Sequence, residues 1–432
     1  MTTRRLSGRR VVVVDGCRTP FLRSGTGFAE SSAYELGRMA VAGLLNRSRV
    51  APDEVDQIVM GTVLQDPATS NLAREVGLAS GLPESVPGYT VTAACASANV
   101  AIANAVSAIA SGQADVVVAG GAELLSDPPI RYRRAIRKRL VAAQKAKGIG
   151  DYLKLLKGLK LRDLVPETPA IAEFSTGLTM GQTAERLARR MGIGRGEQDA
   201  FAVLSHHRAA RATVDGLLAD QVLPAFVSPK YKPLLADNGI RNDTSLERLA
   251  TLPPVFDRSF GSVTAGNSSF LTDGAAACLL MSDGRARELG VEPLAAVVGC
   301  SLTAADPLEE LLLGPAFAVP DALDQAGRSL DEMEVIEFHE AFAAQTLASI
   351  AALADDEFCR TRLGRDGAVG QVDLERLNAW GGSLSIGHPF GATGARLLTT
   401  ACRRMERSGA RYGLVATCAA GALGSALVLE RA

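Results

Sequence analysis

Short apolar runs alternate with stretches of helical period along the first 126 residues. Strand-like runs fall at 10–16, 56–61, 88–92 and 114–121, and helical patterns fall at 32–45 and 96–111. Strand, helix, strand spacing of this kind predicts a parallel sheet. The last of these runs is apolar throughout, which predicts a strand buried on both faces.

The C-terminal third has the same order of patterns. Strand-like runs fall at 294–300, 333–338 and 412–417, and helical patterns fall at 316–327 and 391–409. The segment 52–58 aligns with 330–336 at a constant offset of 278 residues. The repeat predicts an internal duplication of two similar α/β halves, although any two α/β units share some of this pattern.

The region between the halves breaks the pattern with several prolines and loose polar stretches. Helical patterns remain at 180–191 and 197–216. We therefore expect a mostly helical insertion on top of the first half. The predicted domains are a first half made of 1–126 with 255–288, an inserted domain over 127–254, and a second half over 289–432.

Composition narrows the function classes. The chain has 432 residues, 47% of them hydrophobic, with 46 basic and 47 acidic side chains and a formal net charge of -1. This balance argues against a nucleic-acid-binding protein. No apolar run approaches the roughly 18–20 residues needed to span a bilayer, so an intracellular, cytoplasmic protein is expected.

Cysteine and histidine usage limits the chemistry further. Seven scattered cysteines without a Cys-x-x-Cys pair argue against a disulfide framework or a zinc site, and no metal is predicted. The four histidines are His206, His207, His339 and His388. His206 and His207 fall in a helical pattern rich in Arg and Ala, so we interpret them as structural or solvated.

Cys95 lies between a predicted strand and a predicted helix of small residues. A thiol at that turn gains from the helix dipole and from unpaired backbone N–H groups, which stabilise a thiolate and a developing oxyanion. A buried structural cysteine is the alternative. His388 lies in a loop with five glycines in fourteen residues, and Pro389 keeps it out of a helix.

His339 and Cys418 each follow a predicted strand of the second half, ending at Phe338 and Thr417. Ligands of α/β sheets gather at the carboxyl ends of strands. Cys95, His339 and Cys418 are therefore expected to converge.

These residues, with others along nearly the whole chain, resemble the thiolase family, which cleaves or forms 3-ketoacyl-CoA. The matching segments lie around Cys95, at 120–123, 180–185, 198–205, 264–269, 273–276 and 339–342, and around His388 and Cys418. Most members have Asn where this chain has His339. The histidine variant and the long basic insertion are similar to the thiolase (β) subunits of fatty-acid oxidation trifunctional complexes.

The resemblance implies an α/β thiolase fold, in which two duplicated βαβαβ-type halves pack in layers beneath an inserted loop domain. It implies that Cys95 is the nucleophile, that His388 is its base and that Cys418 protonates the departing enolate. The backbone N–H groups of Cys95 and Ala420 would hold one oxyanion, and the side chains of His388 and His339 would hold the enolate oxygen. In relatives with Asn, an ordered water completes that second site.

The resemblance also implies the ligands. The substrates would be 3-ketoacyl-CoA, CoA and acetyl-CoA, with CoA as a substrate and no further cofactor. Ser269 would lie near the pantetheine and Met180 would line the substrate tunnel. Ala422 stands where relatives usually have a second glycine after Cys-Ala-Ala-Gly, and we expect slightly tighter backbone clearance there.

Three other functions compete with a β-oxidation thiolase. A ketoacyl synthase lacks the second catalytic cysteine, so Cys418 counts against it. A non-catalytic lipid carrier or scaffold would not need all four side chains. A short-chain biosynthetic acetyl-CoA acetyltransferase uses the same residues, so this alternative remains. The resemblance also implies an oligomer, either a homodimer or a homotetramer.

The net charge hides one basic segment. Residues 131–162 contain twelve basic side chains and a single acid. Tyr152, Leu155, Leu156 and Leu159 fall at helical spacing, which predicts a basic amphipathic helix. Such a helix suits a peripheral membrane contact or a partner such as a hydratase/dehydrogenase α subunit. The alternative is a solvated cover over the site entrance whose cations attract CoA phosphates.

Overall fold

The computed structural model describes residues 8–169, 172–229 and 231–432. Up to residue 126 the elements are β1 Val11–Arg18, β2 Leu22–Arg23, α1 Ala33–Ser48, β3 Gln57–Gly61, α2 Leu72–Ala79, β4 Gly88–Val91, α3 Ser97–Ala110 and β5 Val116–Glu123. The next region contains α4 Arg134–Ala143, α5 Ile149–Leu156, α6 Met180–Met191, α7 Arg195–Val214, β6 Ala225–Phe226, β7 Pro233–Leu234 and α8 Leu246–Ala250.

The rest of the chain returns to an α/β pattern. Its elements are β8 Thr272–Ser282, α9 Asp283–Leu289, β9 Ala295–Ala304, α10 Gly314–Ala326, β10 Val335–Phe338, α11 Ala343–Ala354, α12 Asp356–Leu363, α13 Ser383–Ile386, α14 Thr393–Ser408, β11 Tyr412–Ala419 and β12 Leu423–Arg431.

The two halves share one sheet in the described part of the chain. Its order is β10-β11-β12-β9-β1-β8-β5-β3-β4, and β2 pairs with β8. β3 lies parallel to β4 and β5, and β10 lies parallel to β11. The predicted parallel sheet is confirmed for these pairs, but the whole sheet is mixed, because β8 and β12 run antiparallel to their neighbours in the middle of each half.

Alternating side chains place the sheet between helical layers. Val11 and Val13 belong to an inner core with α3 and α14, whereas Val12 and Val14 belong to an outer core with α1 and α2. In the second half, the side chains of β11 alternate between the inner core and an outer core with α10. Both faces of these strands are therefore buried, and the layers run helix, sheet, helix, sheet, helix.

The predicted duplication appears in the backbone. Short 3-10 turns occupy Pro52–Glu54 and Leu330–Glu332, at the offset of 278 residues, and each leads into a strand, β3 or β10. The central helices α3 and α14 pack against each other. The loop between β4 and the N-terminal end of α3 contains Cys95. The loop before the N-terminal end of α14 contains His388. The α/β fold in duplicated layers is thus confirmed, whereas the predicted domain boundaries stay a prediction.

The basic segment differs from its prediction. It forms two short helices, α4 and α5, that pack against each other, and Arg139 Nε donates to the carbonyl of Leu155 at 2.7 Å. α5 ends at Leu156, and Gly158 has a φ of 73°, so Leu159 lies outside the helix and the predicted four-residue seam is broken. The side chain of Leu156 lies outside the described residues.

Across the described residues, we find no helix that combines the length and the apolar character needed to cross a membrane.

Candidate active site

Cys95 lies in the short turn between β4 and α3. The preceding Ala94 has a φ of 49°, a left-handed conformation that costs a non-glycine residue roughly 1–2 kcal/mol. Strain of this kind concentrates at functional sites. Among the described residues no side chain caps the N-terminus of α3, so its dipole and backbone N–H groups stay available to the thiol.

The environment of the Cys95 thiol combines burial with backbone donors. Burial raises its pKa to about 12, with a smaller rise from Glu123. The backbone N–H groups of Ala420 and of Cys95 itself hydrogen-bond to the thiol and lower its pKa. The resting side chain is therefore a neutral thiol in contact with the two N–H groups named for the oxyanion.

The loop of His388 reaches this turn because glycines allow two backbones to approach closely. A Cβ on Gly121, at the end of β5, would overlap the carbonyl oxygen of Gly391. The backbone N–H of Gly391 donates to Glu123 Oε2 at 2.8 Å, and the N–H of His388 donates to Thr272 Oγ1 at 3.0 Å. These bonds attach the loop to β5 and β8.

Hydrogen bonds fix the tautomer of His388. Its Nδ1 lies 2.6 Å from Thr393 Oγ1, and the Thr393 hydroxyl donates to the carbonyl of Pro389 at 3.0 Å. Since a hydroxyl has one proton, Thr393 accepts from His388, which carries its proton on Nδ1. Nε2 is buried without a partner among the described residues and presents a free lone pair. Burial, helped by Arg396, lowers the pKa of His388 to about 3, so the ring is neutral.

The same reasoning gives His339 the opposite tautomer. Its Nδ1 lies 2.9 Å from Ser383 Oγ, which also accepts from Arg396 Nη2 at 2.9 Å. Arg396 can only donate, so in the described part of the chain the Ser383 hydroxyl donates its proton to His339 Nδ1. His339 therefore carries its own proton on Nε2. Burial, then His388 and Arg396, hold the pKa of His339 well below its usual range. Its Nε2 is also buried without a described partner.

The two imidazoles and the thiol form one cluster. The ring centroids of His339 and His388 are 4.0 Å apart, and Cys95 Sγ and a nitrogen of each ring all lie within 4.8 Å of one another. Because both Nδ1 atoms are engaged elsewhere, we infer that the free Nε2 atoms face the thiol. The site thus presents a thiol, a hydrogen-bond acceptor and a hydrogen-bond donor to the same buried space.

Cys418 lies close enough to Cys95 for the two thiols to affect each other's ionisation. The predicted strand end at Thr417 was wrong, since β11 continues to Ala419 and contains Cys418. Burial, and then the neighbouring Cys95, raise the pKa of Cys418 well above its usual range, so it is a thiol as well. The next turn has a left-handed φ of 57° at Ala422, so the effect of alanine there is backbone strain rather than the expected loss of clearance.

The two residues predicted to contact CoA lie on different elements, Met180 at the start of α6 and Ser269 in the loop before β8. Met180 begins α6 and packs, half-buried, against the apolar cluster that contains Cys418. Ser269 donates its backbone N–H to the carbonyl of Ala341 at 2.9 Å. Its neighbour Ser268 lines a cleft of about 250 Å³ with Arg23, Arg241 and Arg248.

Three arginines and one carboxylate, Asp243, line this cleft, and Asp243 pairs with Arg248, so the cleft has an excess of positive charge. Burial, then Arg241, lower the pKa of Arg23. His206 also lines the cleft, and burial, then these two arginines, lower its pKa to about 4. Its Nδ1 accepts from the backbone of Arg241 at 3.2 Å, and His207 Nε2 contacts the Thr244 carbonyl at 2.8 Å. Both histidines therefore attach α7 to the loop at 241–244 within the insertion.

Sequence reasoning assigned no role to Thr393, Ser383 and Arg396. Thr393 lies five residues after His388, and its hydroxyl was a usable signal because small polar residues beside a buried histidine orient its ring. Ser383 gave no such signal, since it bonds to His339, 44 positions away. No sequence signal joins Arg23 to Arg241, which the insertion brings together across 218 positions.

Comparisons with known proteins match nearly the whole chain. Family models described as the thiolase N-terminal domain and the thiolase C-terminal domain match residues 11–284 and 291–431. The mitochondrial trifunctional enzyme subunit beta of Bos taurus is 48% identical over 98% of this chain and 88% of its own. The 3-ketoacyl-CoA thiolase of Yersinia enterocolitica is 46% identical over 98% of this chain and 97% of its own. The crystal structure of human mitochondrial 3-ketoacyl-CoA thiolase in complex with CoA superposes with a TM-score of 0.84 at 31% identity, covering 98% of both chains.

Proposed function

The chain belongs to the thiolase family and is an acyltransferase, and from that premise we propose that Cys95 carries the acyl group while a 3-ketoacyl-CoA is cleaved by free CoA. This is the thiolysis step of fatty-acid β-oxidation, and its reverse is a Claisen condensation. The observation that carries the proposal is the buried cluster in which Cys95 Sγ and a nitrogen of each of two histidines lie within 4.8 Å of one another.

The first half-reaction uses Cys95, His388 and Cys418. The free Nε2 of His388 takes the proton of Cys95, and the thiolate attacks the C3 keto carbon. The bond between C2 and C3 then breaks, which leaves an acyl group on Cys95 and the enolate of acetyl-CoA. Cys418 gives its proton to the enolate carbon, a role that suits a thiol kept protonated by burial.

The second half-reaction returns every proton. The Cys418 thiolate takes the proton of the incoming CoA thiol, and the CoA thiolate attacks the acyl-cysteine. Cys95 leaves as a thiolate and recovers its proton from the His388 imidazolium. Atoms and charges therefore balance over one turnover, and no further cofactor enters the sequence.

Two sets of donors match the two oxyanions. The backbone N–H groups of Cys95 and Ala420 already hydrogen-bond to the thiol, so they lie beside the sulfur that bonds to the carbon bearing the tetrahedral oxygen, which supports their role as its donors. The Nε2–H of His339 and the Nε2–H that His388 gains from Cys95 would hold the enolate oxygen. The opposite resting tautomers of the two rings support this division, because the base needs a lone pair and the donor needs a proton.

The electropositive cleft suits the phosphates of CoA. We expect Arg241→Met to raise the KM for CoA about tenfold or more while kcat changes little, since a hydrogen bond to a charged group contributes about 1.5–3 kcal/mol. Steady-state thiolysis at varied CoA measures this. Arg211→Met, an exposed arginine on α7, is the matched control. An unchanged KM in Arg241→Met would remove the cleft from the CoA site.

The acyl chain length requires its own test. The resemblance to trifunctional enzyme β subunits leads us to propose a long-chain substrate for this protein. A biosynthetic acetyl-CoA acetyltransferase, which acts on short chains, is the second candidate. Thiolysis rates on acetoacetyl-CoA and on a C16 3-ketoacyl-CoA separate the two. A higher rate on the C16 substrate is expected. Equal or faster turnover of acetoacetyl-CoA contradicts a long-chain role.

The basic segment 131–162 is proposed to contact an anionic membrane surface or a hydratase/dehydrogenase α subunit of a larger assembly. Apolar side chains on α4 and α5, including Leu140, Ile149 and Leu153, are more than half exposed beside the cationic ones. Deleting the segment is expected to reduce vesicle flotation or α-subunit binding. Unchanged behaviour in both assays would favour a solvated cover over the site entrance.

A further inference from the structure

The buried cluster has the donor set of a zinc site as well as that of a nucleophile. Cys95 Sγ and a nitrogen of each of His339 and His388 lie within 4.8 Å of one another. Both Nε2 atoms are fully buried and have no hydrogen-bond partner among the described residues. Unpartnered buried nitrogens are uncommon, and here two of them converge beside a thiol.

Zinc prefers thiolate and imidazole ligands, at about 2.3 Å from sulfur and about 2.0–2.1 Å from nitrogen. Ligand atoms around a tetrahedral zinc ion therefore lie roughly 3.3–3.6 Å apart. Starting from separations of at most 4.8 Å, the ligand atoms have to approach one another by at most about 1.5 Å. Metal binding also deprotonates a coordinating thiol, so the neutral thiol of Cys95 does not exclude a site.

The outer hydrogen bonds fit this ligand set. A zinc-bound histidine usually donates its other N–H to a protein oxygen, which fixes the ring. His388 already donates from Nδ1 to Thr393. His339 has to exchange its tautomer, after which its Nδ1–H faces the second lone pair of Ser383 Oγ.

The surrounding charges partly offset one another. Arg396 is buried, bonds to Ser383 and opposes a cation. Glu123 lies close enough to Cys95 to act on its pKa, and the buried Glu340 adjoins His339 in the chain. The net charge next to the cluster therefore does not repel a dication strongly.

We propose that Cys95, His339 and His388 form a zinc site, so that Zn²⁺ inhibits the enzyme by occupying the space between the thiol and the two imidazoles. Zn²⁺ displaces the Cys95 proton to the buffer, and a water or Cys418 completes the coordination. The site depends on His339, so a thiolase active site with Asn at this position lacks the third ligand. The proposal needs only the geometry of the three side chains and does not depend on their roles in thiolysis.

Direct metal binding tests the site on the full-length protein without CoA, because CoA is itself a thiol. Zn²⁺ is titrated in competition with a chromophoric chelator, and Co²⁺ is used as a spectroscopic probe. We expect one Zn²⁺ per chain, a sulfur-to-cobalt charge-transfer band, and protection of Cys95 from iodoacetamide by Zn²⁺.

Variants assign the ligands. Cys95→Ser and His339→Asn are each expected to weaken Zn²⁺ binding by more than about a hundredfold, since losing only an outer hydrogen bond costs about 10–100-fold. His207→Asn removes one imidazole outside the cluster and should leave the affinity unchanged. Circular dichroism and the melting temperature of each variant show whether it is folded.

Three results would overturn the site: unchanged affinity in His339→Asn, a Co²⁺ complex without the sulfur band, or bound Zn²⁺ that leaves Cys95 open to alkylation. Failure of the proposed function looks different. If turnover survives the cysteine replacement while zinc binds as expected, the thiolysis roles are wrong and the zinc site stands. If the cysteine replacement abolishes turnover but leaves zinc binding unaltered, the zinc site is wrong and the thiolysis role of Cys95 stands.

Discussion

Replacing Cys95 by serine is expected to reduce thiolysis by at least about 10⁴-fold, since removing a nucleophile typically costs that much or more. The serine hydroxyl is a poorer nucleophile than a thiol, and its proton is harder to remove. His388, whose pKa is lowered to about 3, is a weak base for that task. The measurement is kcat/KM on a 3-ketoacyl-CoA with saturating CoA, with mass spectrometry of the acylated protein.

A second cysteine provides a matched control for this replacement. Cys300 on β9 is half-buried, and burial raises its pKa, with a smaller rise from Asp321. Cys300→Ser should keep turnover and acylation near those of the native chain. Acylation at a residue other than Cys95, or a Cys95→Ser variant that turns over at native rates, contradicts the proposed nucleophile.

The same measurement separates an enzyme from a non-catalytic scaffold. A lipid carrier would bind an acyl-CoA without forming a covalent acyl-protein, so its mass would be unchanged after incubation with substrate. The thiol and the two unpartnered histidine nitrogens argue for the enzyme, because a carrier has no use for the proposed base, acid and oxyanion sites around one sulfur.

The layered fold was predictable from the sequence to the extent that its strands have a distinct pattern. The valine run at Val11 and the offset of 278 residues identified β1 and the duplication. β8 was missed because its Ala-rich run at 275–281 does not discriminate a buried strand from a helix. Because β8 and β12 went unrecognised, the antiparallel centre of each half was also unrecognised.

The site was predictable where turns and motifs mark it and unpredictable where only packing does. Glycine, proline and strand-end signals identified Cys95, His388 and His339. The tautomer of His388 depends on Thr393, which lies five residues further along the same segment, so a local signal existed for it. The tautomer of His339 depends on Ser383 and Arg396, which are distant in the chain and reach the ring only through tertiary packing, so no local pattern encodes it.

The histidine pair gives the second large effect. His388→Ala is expected to reduce kcat/KM by about 10⁴-fold, at the upper end of what one acid–base group contributes, because the variant loses both the base for Cys95 and a donor to the enolate oxygen. Its Cys95 should also react more slowly with iodoacetamide, since the free Nε2 that accepts the thiol proton is gone. Steady-state thiolysis and timed alkylation measure the two effects.

His339→Ala is the discriminating comparison, because it removes a donor and leaves the base. Turnover should fall by about 10²–10³-fold, the usual cost of one oxyanion donor, while Cys95 still reacts with iodoacetamide at close to the native rate. Near-normal turnover in His339→Ala would remove His339 from the enolate site. Equal loss of alkylation in both variants would mean that the two rings act on the thiol together, which is incompatible with the opposite tautomers fixed by Thr393 and Ser383.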